Sequence, residues 1–149
     1  MRSIAVIAVI AGLAFAAGLL ASSAFAASFF RTIGNKVVAK ECGACHMPYP
    51  AMLLPARSWA KIIGALDKHF GEDASMPEAS RQQILAFMSA NAGDSASSDS
   101  WFMRGVPNTA TPLRITDMPF WRSIHGGFPG GAFKRADVRK KGNCLGCHG

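Results

Sequence analysis

The sequence predicts a mainly α-helical protein with a helical N-terminal part and a largely irregular C-terminal part. Between residues 28 and 91, apolar residues recur at helical spacing in three segments. Beyond residue 100, four of the eight prolines and frequent glycines interrupt the chain, so only short helices fit there. The polar segment 93–100 (Gly-Asp-Ser-Ala-Ser-Ser-Asp-Ser) separates the two parts. We therefore expect two small domains, at residues 27–92 and 101–149, joined by a linker at 93–100.

The first 26 residues have the pattern of a secretory signal peptide. Arg2 gives a basic start, residues 4–20 carry no charge, and Ala24-Phe25-Ala26 fits the small-x-small rule for cleavage. An uncleaved membrane anchor is the rival interpretation, but the apolar run is short for a membrane span. We therefore expect residues 1–26 to be removed after Ala26, and a mature exported chain without stable membrane insertion.

Two helices are expected before residue 75. The first spans residues 28–40, where apolar residues share one face. The second spans residues 57–70, with Gly71 as its stop. This second helix places His69 on its apolar stripe, three residues after Leu66.

Three further helices are expected after residue 75. Residues 75–78 (Ser-Met-Pro-Glu) resemble a capping box, and the helix they open should run to about Asn91. Beyond the linker, only residues 119–125 and 132–141 suit short helices. A region with so little regular structure needs another component to fill its core.

The chain contains two copies of one cysteine motif. Residues 42–46 (Cys-Gly-Ala-Cys-His) and 144–148 (Cys-Leu-Gly-Cys-His) both follow the pattern C-x-x-C-H, the attachment signature of c-type haem. The two thiols add to the two vinyl groups of the porphyrin, and the adjacent histidine becomes the proximal ligand of the iron. We therefore expect two covalently bound haem c groups. The thiols expected to hold them are Cys42, Cys45, Cys144 and Cys147.

Three other interpretations of the cysteines compete with haem attachment. Redox-active dithiols do not require the following histidine, and the βαβ pattern that flanks them is missing. A zinc ribbon needs its pairs about 15–20 residues apart, whereas 98 residues separate these pairs. Two structural disulfides leave the histidines unexplained. Since the chain has only four histidines in 149 residues, chance would place one after both pairs with a frequency on the order of one in a thousand.

Two histidines remain, and each is a candidate ligand for the opposite face of one iron. His46 and His148 belong to the motifs, which leaves His69 for the first haem and His125 for the second. The rival interpretations are a core or surface histidine at 69 and a loop histidine at 125. Methionine is the rival ligand, and Met88, which follows His46 by 42 residues, also fits an apolar core. The other methionines considered are Met76, Met103, Met118 and Met52.

Six segments together carry a family resemblance. They are residues 41–50, 53–59, 69–75, 112–116, 125 and 143–148. In combination they resemble the bacterial dihaem cytochrome c family, whose known partner is an oxygen-binding monohaem c-type cytochrome. This family usually carries a tail beyond its second motif, whereas this chain stops one residue after it.

The resemblance implies a fold, a ligand set and a function. The fold is a class I cytochrome c-like N-terminal haem domain followed by a largely irregular C-terminal haem domain. The function is electron delivery in the periplasm to the oxygen-binding cytochrome, in some cases from a membrane b-type cytochrome. The axial ligands implied for the two irons are His46, His69, His125 and His148.

An electron-transfer protein rather than an enzyme is the expected function. Six-coordinate iron leaves no open position for a substrate, and the 123 residues after the signal peptide are few for a dihaem peroxidase. The alternative is a haem-based gas-binding or sensor protein whose sixth ligand dissociates. Aromatic side chains near the candidate ligands are expected to pack on the haems; they are Trp59, Phe70, Phe120, Trp121, Phe128 and Phe133.

Positive charge is concentrated in the last third of the chain. The expected mature chain has 15 basic and 9 acidic residues, a net charge of +6. Residues 27–100 carry seven of each sign, whereas residues 101–149 carry eight basic residues against two acidic ones. The basic cluster either docks an acidic redox partner, neutralises haem propionates or is a solvated face. Because the chain is exported, no nucleic-acid partner is expected despite a pI near 9.7.

Overall fold

The computed structural model describes residues 33–96 and 100–149. The expected signal peptide, the start of the first expected helix and part of the expected linker lie outside these residues. Regular structure within them is helical, apart from one isolated β-bridge between His69 and Glu72, and this confirms the mainly α fold class. The α-helices are α1 (Lys36–Glu41), α2 (Ala56–Ile63), α3 (Glu78–Ala90), α4 (Pro119–His125) and α5 (Leu145–His148).

Short 3₁₀ turns connect these helices and carry several of the site residues. The turns are Cys42–Ala44, Ala51–Leu53, Leu66–Lys68, Ser100–Met103, Ile115–Asp117 and Ala132–Lys134. None of the helices in the described ranges is both long enough and apolar enough to cross a membrane.

One hydrophobic core joins the two expected domains. Helices α2 and α3 pack against each other and α1 packs on α3. Trp59 is anchored in this core because its indole Nε1 donates a hydrogen bond of 2.6 Å to the carbonyl of Ala51. Met118, which comes from the C-terminal third, is 2% exposed and belongs to the same core. The buried members include Val38, Leu54, Trp59, Ile63, Ile84, Met88 and Met118.

Residues 33–35, which the apolar pattern places in the first helix, are not helical, and α1 starts at Lys36. Asn35 has extended backbone angles, and its side-chain oxygen accepts hydrogen bonds from the backbone N–H groups of Val37 (2.9 Å) and Val38 (3.1 Å). An asparagine in this position satisfies N–H groups that have no partner in the first helical turn. The side-chain cap therefore places the start of α1 at Lys36.

The second expected helix is shorter than predicted. Residues 57–70 were expected to be helical with Gly71 as the stop, but α2 ends at Ile63 and Gly64 caps it. Glycine is a poor helix residue and favours a helix end. The apolar pattern continues past Gly64 because the turn Leu66–Lys68 brings Leu66 back against the core. His69 consequently lies in a loop and not on a helix, and the prediction of its helical position is wrong.

The remaining helix predictions have mixed outcomes. Helix α3 and helix α4 occupy the expected segments. The capping box at residues 75–78 does not form, since Pro77 is the N-cap and no side chain caps α3. The helix expected at 132–141 is wrong as well: only the turn Ala132–Lys134 forms, and Arg139 has a φ of +65° that helical backbone cannot include.

Arg57 ties helix α2 to the C-terminal third. Its Nε donates to the carbonyl of Ala110 at 2.5 Å, and its Nη2 donates to the carbonyl of Pro107 at 3.0 Å. Its Nη1 forms an ion pair of 2.9 Å with Asp94. The other carboxylate oxygen of Asp94 accepts a hydrogen bond of 2.7 Å from the N–H of Ala56, at the first turn of α2. The start of the expected linker is thus held in place by this helix.

Candidate haem-binding sites

The first histidine pair brings the loop residue His69 to the first cysteine motif. His46 follows the turn Cys42–Ala44, and its ring centroid lies 6.2 Å from that of His69, with the two ring planes inclined by 17°. A histidine nitrogen binds a metal at about 2 Å and lies about 1 Å from its own ring centroid. Two imidazoles on opposite sides of one metal therefore have centroids about 6 Å apart, and the observed spacing fits this arrangement.

The second pair has the same spacing but a different orientation. His125 ends helix α4, His148 ends helix α5, and their ring centroids are also 6.2 Å apart. The ring planes are inclined by 79°. The structure thus brings together the four histidines that the sequence singled out, and it groups them in the two pairs that the sequence analysis expected.

A large apolar cavity of about 490 Å³ adjoins the second pair. Its wall includes both histidines of the pair and both thiols of the second motif, and most of its other residues are apolar. A cavity of this size and lining suits a flat apolar cofactor. The C-terminal residues present therefore fit a haem. The aromatic residues in the wall are Phe102, Phe120, Trp121, Phe128 and Phe133.

Hydrogen bonds hold two of the histidine rings through Nδ1. His46 Nδ1 lies 2.7 Å from the carbonyl of Met47, and His125 Nδ1 lies 3.1 Å from the carbonyl of Trp121. The ring of Trp121 also stacks on His125 at 4.5 Å between centroids, with an angle of 11°. When Nδ1 carries the proton and donates to the carbonyl, Nε2 is free to bind a metal, as in many metal-binding histidines.

The two other histidines favour the neutral form that binds metals. Burial, followed by the neighbouring His46, lowers the pKa of His69. Burial, followed by the neighbouring His125, lowers the pKa of His148. The Nδ1 atom of His69 is buried and has no hydrogen-bond partner among the described residues. The residues of the first site fit a haem because the spacing of 6.2 Å between the centroids of His46 and His69 leaves room for a metal between the rings.

The bonding and the thiol pKa values of the cysteines bear on the rival interpretations of the two motifs, which are disulfides, redox-active dithiols and a zinc site. No disulfide joins any of the four cysteines, all of which lie in the described residues. Burial raises the pKa of Cys42, with Glu41 as a second cause, and burial raises that of Cys144. A redox-active dithiol needs the opposite shift. Within residues 33–96 and 100–149, no cluster of three or more His, Cys, Asp or Glu side chains is arranged to hold a metal ion.

Aromatic side chains surround His125. The ring centroids of Phe128 and Phe133 lie 6.0 and 6.4 Å from that of His125. Phe120 lines the cavity but also packs edge-on against Trp101, at 4.4 Å. At the first site, only one of the two expected aromatic side chains contacts a histidine of the pair among the ring contacts described. Phe70 contacts His69 edge-on at 5.0 Å, whereas Trp59 is buried in the core.

Methionine residues considered as rival ligands lie mostly in the core. Met88 is 3% exposed and Met118 is 2% exposed, and both belong to the hydrophobic cluster. Met76 and Met103 are partly buried against the same cluster. Met118 also lines the cavity of the second site.

Tyr49 is a site residue that the sequence analysis did not identify. It is the only tyrosine of the chain. Its ring lies 5.1 Å from that of His46, and its hydroxyl donates a hydrogen bond of 2.8 Å to the carbonyl of Gly142. Burial, followed by the nearby Cys144, raises the pKa of this hydroxyl, which keeps it protonated as a donor. The partners are 93 residues apart in the chain, so no local sequence signal links them.

Comparison with known proteins identifies the class that shares this arrangement. Residues 38–149 match the family model for dihaem cytochrome c. A diheme cytochrome c from Rhodobacter sphaeroides has a similar structure, with a TM-score of 0.72 and 44% sequence identity; the match covers 78% of this chain and 91% of that chain. A structure of DHC purified from Rhodobacter sphaeroides matches with a TM-score of 0.65 and 39% identity over the same shares of the two chains.

A more distant relative has the same architecture. The diheme cytochrome type c from Shewanella baltica OS155 shares 29% identity with a TM-score of 0.59, and the match covers 76% of this chain and 79% of that one. No curated protein matches the chain.

Proposed function

The chain belongs to the dihaem cytochrome c family and carries two covalently bound haem c groups, and we propose that it relays electrons in the periplasm with bis-histidine ligation at both irons. Each haem supplies an iron that exchanges single electrons between its ferric and ferrous forms. The observation that supports this ligation is the repeated spacing of 6.2 Å in two histidine pairs, each containing the histidine of one cysteine motif.

The chain's own residues hold the groups and close the sites to other ligands. We propose that Cys42 and Cys45 bind the first haem, and that Cys144 and Cys147 bind the second. Covalent attachment keeps the cofactor in place through many redox cycles. With His46 and His69 on one iron and His148 and His125 on the other, neither iron keeps an open position for a substrate. This closed coordination supports electron transfer as the function.

Removal of one distal histidine tests the ligand assignment. In His69→Ala, the first iron should bind carbon monoxide in the reduced protein, while the spectrum of the second haem stays unchanged. His125→Ala should give the reverse result. Met88→Leu is the matched control, and we expect no change in coordination because Met88 belongs to the core. An absorption band of sulfur-ligated ferric iron in the wild type, or opening of both haems in His69→Ala, would defeat the assignment.

The proposal includes a docking surface for an acidic partner. We define the basic surface as Lys134, Arg139, Lys140 and Lys141. These side chains are exposed and form no ion pair within the described residues. By contrast, Arg122 and Arg135 are paired with the two acidic residues of this third, Asp117 and Asp137.

The basic surface lies beside the second haem site. Its three lysines line a second cavity of about 470 Å³. This cavity shares Trp121, His125 and Phe133 with the apolar cavity of the second site. The ammonium group of Lys141 lies 5.8 Å from the ring centroid of Trp121 and 5.9 Å from that of Phe133. Positive charge at the edge of a redox site attracts an acidic partner and raises its association rate.

We propose an oxygen-binding monohaem c-type cytochrome as the electron acceptor and a membrane b-type cytochrome as the donor. The family resemblance supports these partners, and the basic surface supports an acidic face on the acceptor. Lys140→Glu with Lys141→Glu should slow reduction of the acceptor and weaken its salt dependence, because the charges of the basic surface then sum to zero. Lys61→Glu with Lys68→Glu is the matched control, since it changes the net charge equally but on the N-terminal half.

Stopped-flow electron transfer over a salt series separates docking from neutralisation of haem propionates. Docking predicts a slower association only for the variant at residues 140 and 141, because exposed charges act mainly on association. Propionate neutralisation predicts a shifted potential of the second haem with the wild-type salt dependence. Equal rates and salt slopes for the wild type and this variant would reject the docking surface.

Export is the remaining part of the proposal. The pattern of residues 1–26 supports a cleaved signal peptide, which agrees with haem attachment outside the cytoplasm. Intact mass of the protein from the periplasmic fraction tests this directly. We expect a chain that begins at Ala27 and carries the mass of two haems. A chain that retains residues 1–26 would contradict the cleavage.

A further inference from the structure

We infer that Tyr49 is a positioning residue that couples the two haem sites through its hydrogen bond to the carbonyl of Gly142. The inference rests on the proposed function, because it takes the two histidine pairs as iron ligands. It assigns a role to a side chain that belongs to neither cysteine motif and neither histidine pair.

Contacts around Tyr49 form a continuous path between the sites. On one side, its ring packs against His46 at 5.1 Å between centroids. On the other side, its hydroxyl holds the carbonyl of Gly142 at 2.8 Å. The thiol sulfur of Cys144 lies 3.8 Å from the same carbonyl oxygen. One side chain therefore joins a ligand of the first site to the attachment segment of the second.

The position of Gly142 makes this contact sensitive to small changes. A Cβ atom at Gly142 would lie 2.9 Å from the hydroxyl oxygen of Tyr49, so the side chain or the segment would have to move. Nearby, Arg139 adopts left-handed backbone angles, and residues 139–144 belong to no helix of the described structure. Asn143 holds this segment locally, because its Nδ2 donates a hydrogen bond of 3.0 Å to the carbonyl of Val138. The tyrosine hydroxyl is the restraint that ties the segment to the first site.

This restraint should affect the electrostatic interaction between the two irons. Reduction of one iron changes its charge by one unit, and the interaction of that charge with the other iron falls with distance and with access of water. Tyr49 itself undergoes no chemistry: it keeps its proton, no bond forms or breaks, and each electron comes from an external reductant. Loss of the hydroxyl should let the segment before Cys144 move away and admit water, which weakens the interaction between the two irons.

A redox titration with dithionite, followed by low-temperature EPR on the intact dihaem protein, measures this interaction. The quantity is the shift in midpoint potential of one iron when the other becomes reduced. In Tyr49→Phe, which keeps the ring against His46 and removes only the hydroxyl, we expect this shift to be roughly halved. Gly142→Ala should give a similar loss, because it displaces the hydroxyl without changing Tyr49.

Two controls separate coupling from general loosening of the fold. Gly131→Ala makes the same substitution in the same third of the chain, where a Cβ meets nothing within 4 Å, and it should leave the shift unchanged. Arg57→Met breaks another tie between the two halves, and none of the partners of Arg57 belongs to a cysteine motif. This variant should lower the melting temperature and leave the shift unchanged.

Each of these measurements either supports or overturns the coupling role of Tyr49. A wild-type shift in Tyr49→Phe, with or without a lower melting temperature, would overturn it, as would an equal loss in Arg57→Met. Failure of the proposed function would look different, because the wild type itself would then lack two low-spin irons that titrate.

Discussion

Replacement of Arg57 by methionine should destabilise the protein more than its partly exposed position suggests. Methionine keeps an unbranched side chain but removes all three donated hydrogen bonds, to Ala110, Pro107 and Asp94. These acceptors lie outside helix α2, and two of them belong to the C-terminal third. The substitution therefore weakens the connection between the two halves rather than the helix itself.

The expected loss follows from the contacts and their exposure. A hydrogen bond from a charged donor contributes about 1.5–3 kcal/mol when it is well buried, and an exposed ion pair contributes about 0–1 kcal/mol. The side chains of Arg57 and Asp94 are 31% and 34% exposed, so water replaces part of each interaction. We therefore assign about 1 kcal/mol to each carbonyl bond and about 0.5 kcal/mol to the ion pair. The free energy of unfolding should fall by about 2–3 kcal/mol.

Thermal unfolding of the dihaem protein, followed by circular dichroism, measures this loss. For a chain of this size, about 2–3 kcal/mol lowers the melting temperature by roughly 10 °C. Arg81→Met is the matched control, because Arg81 forms its ion pair with Glu78 within the exposed first turn of α3. Such an exposed pair within one helix contributes little to stability. If the two variants melt at the same temperature, Arg57 does not connect the halves as we argue.

Three further predictions concern other parts of the chain. The ferric EPR spectrum should contain two distinct low-spin signals, because the imidazole planes are inclined by 17° in one histidine pair and by 79° in the other; a single signal from both irons would contradict this. Gly93→Ala should lower the melting temperature, because the new Cβ would collide with the backbone of Met52 and the side chain of Met103. Hydrogen bonds from Arg81 and Gln82 lower the pKa of Glu78 to about 2 from 4.5. The contribution of Glu78 to the stability of α3 should therefore be complete above pH 4.5 and be lost as the pH falls through about 2. In an acid titration of helix content, Glu78→Gln should lack this loss.

Local chemistry explains which parts of the site could be predicted from the sequence. The cysteine motifs are recognisable because haem attachment needs two thiols and a histidine at fixed spacing within one turn. His69 and His125 were identified because so few histidines remain once the motifs are assigned. Helix α4 has the bounds that were predicted, with Pro119 at its first position and a glycine at its end. The axial ligation itself stays a prediction until it is measured.

Contacts between distant segments explain what the sequence did not reveal. The apolar pattern after Gly64 resembled a continuing helix, because the turn Leu66–Lys68 also returns apolar side chains to the core. Backbone angles at Arg139 stop a helix that composition alone allows. The hydrogen bond of Tyr49 and the ties of Arg57 join residues 37 to 93 positions apart, and no periodic pattern encodes such pairs.

The C-terminal third also shows why the cofactor cannot be separated from the fold. Among residues 101–149, the buried hydrophobic side chains are Phe102, Met118 and Val138, which is few for a segment of this length to hold its own structure. Its large apolar side chains turn instead toward the cavity, where Ile124 is 52% exposed and Phe128 is 56% exposed. Burial of such a side chain contributes about 1.5–3 kcal/mol. A haem held there by Cys144 and Cys147 would cover these surfaces, so the group that carries the electron would also supply the core around which irregular segments pack. This dual role accounts for a segment with short helices, many glycines and a redox site in the same 49 residues.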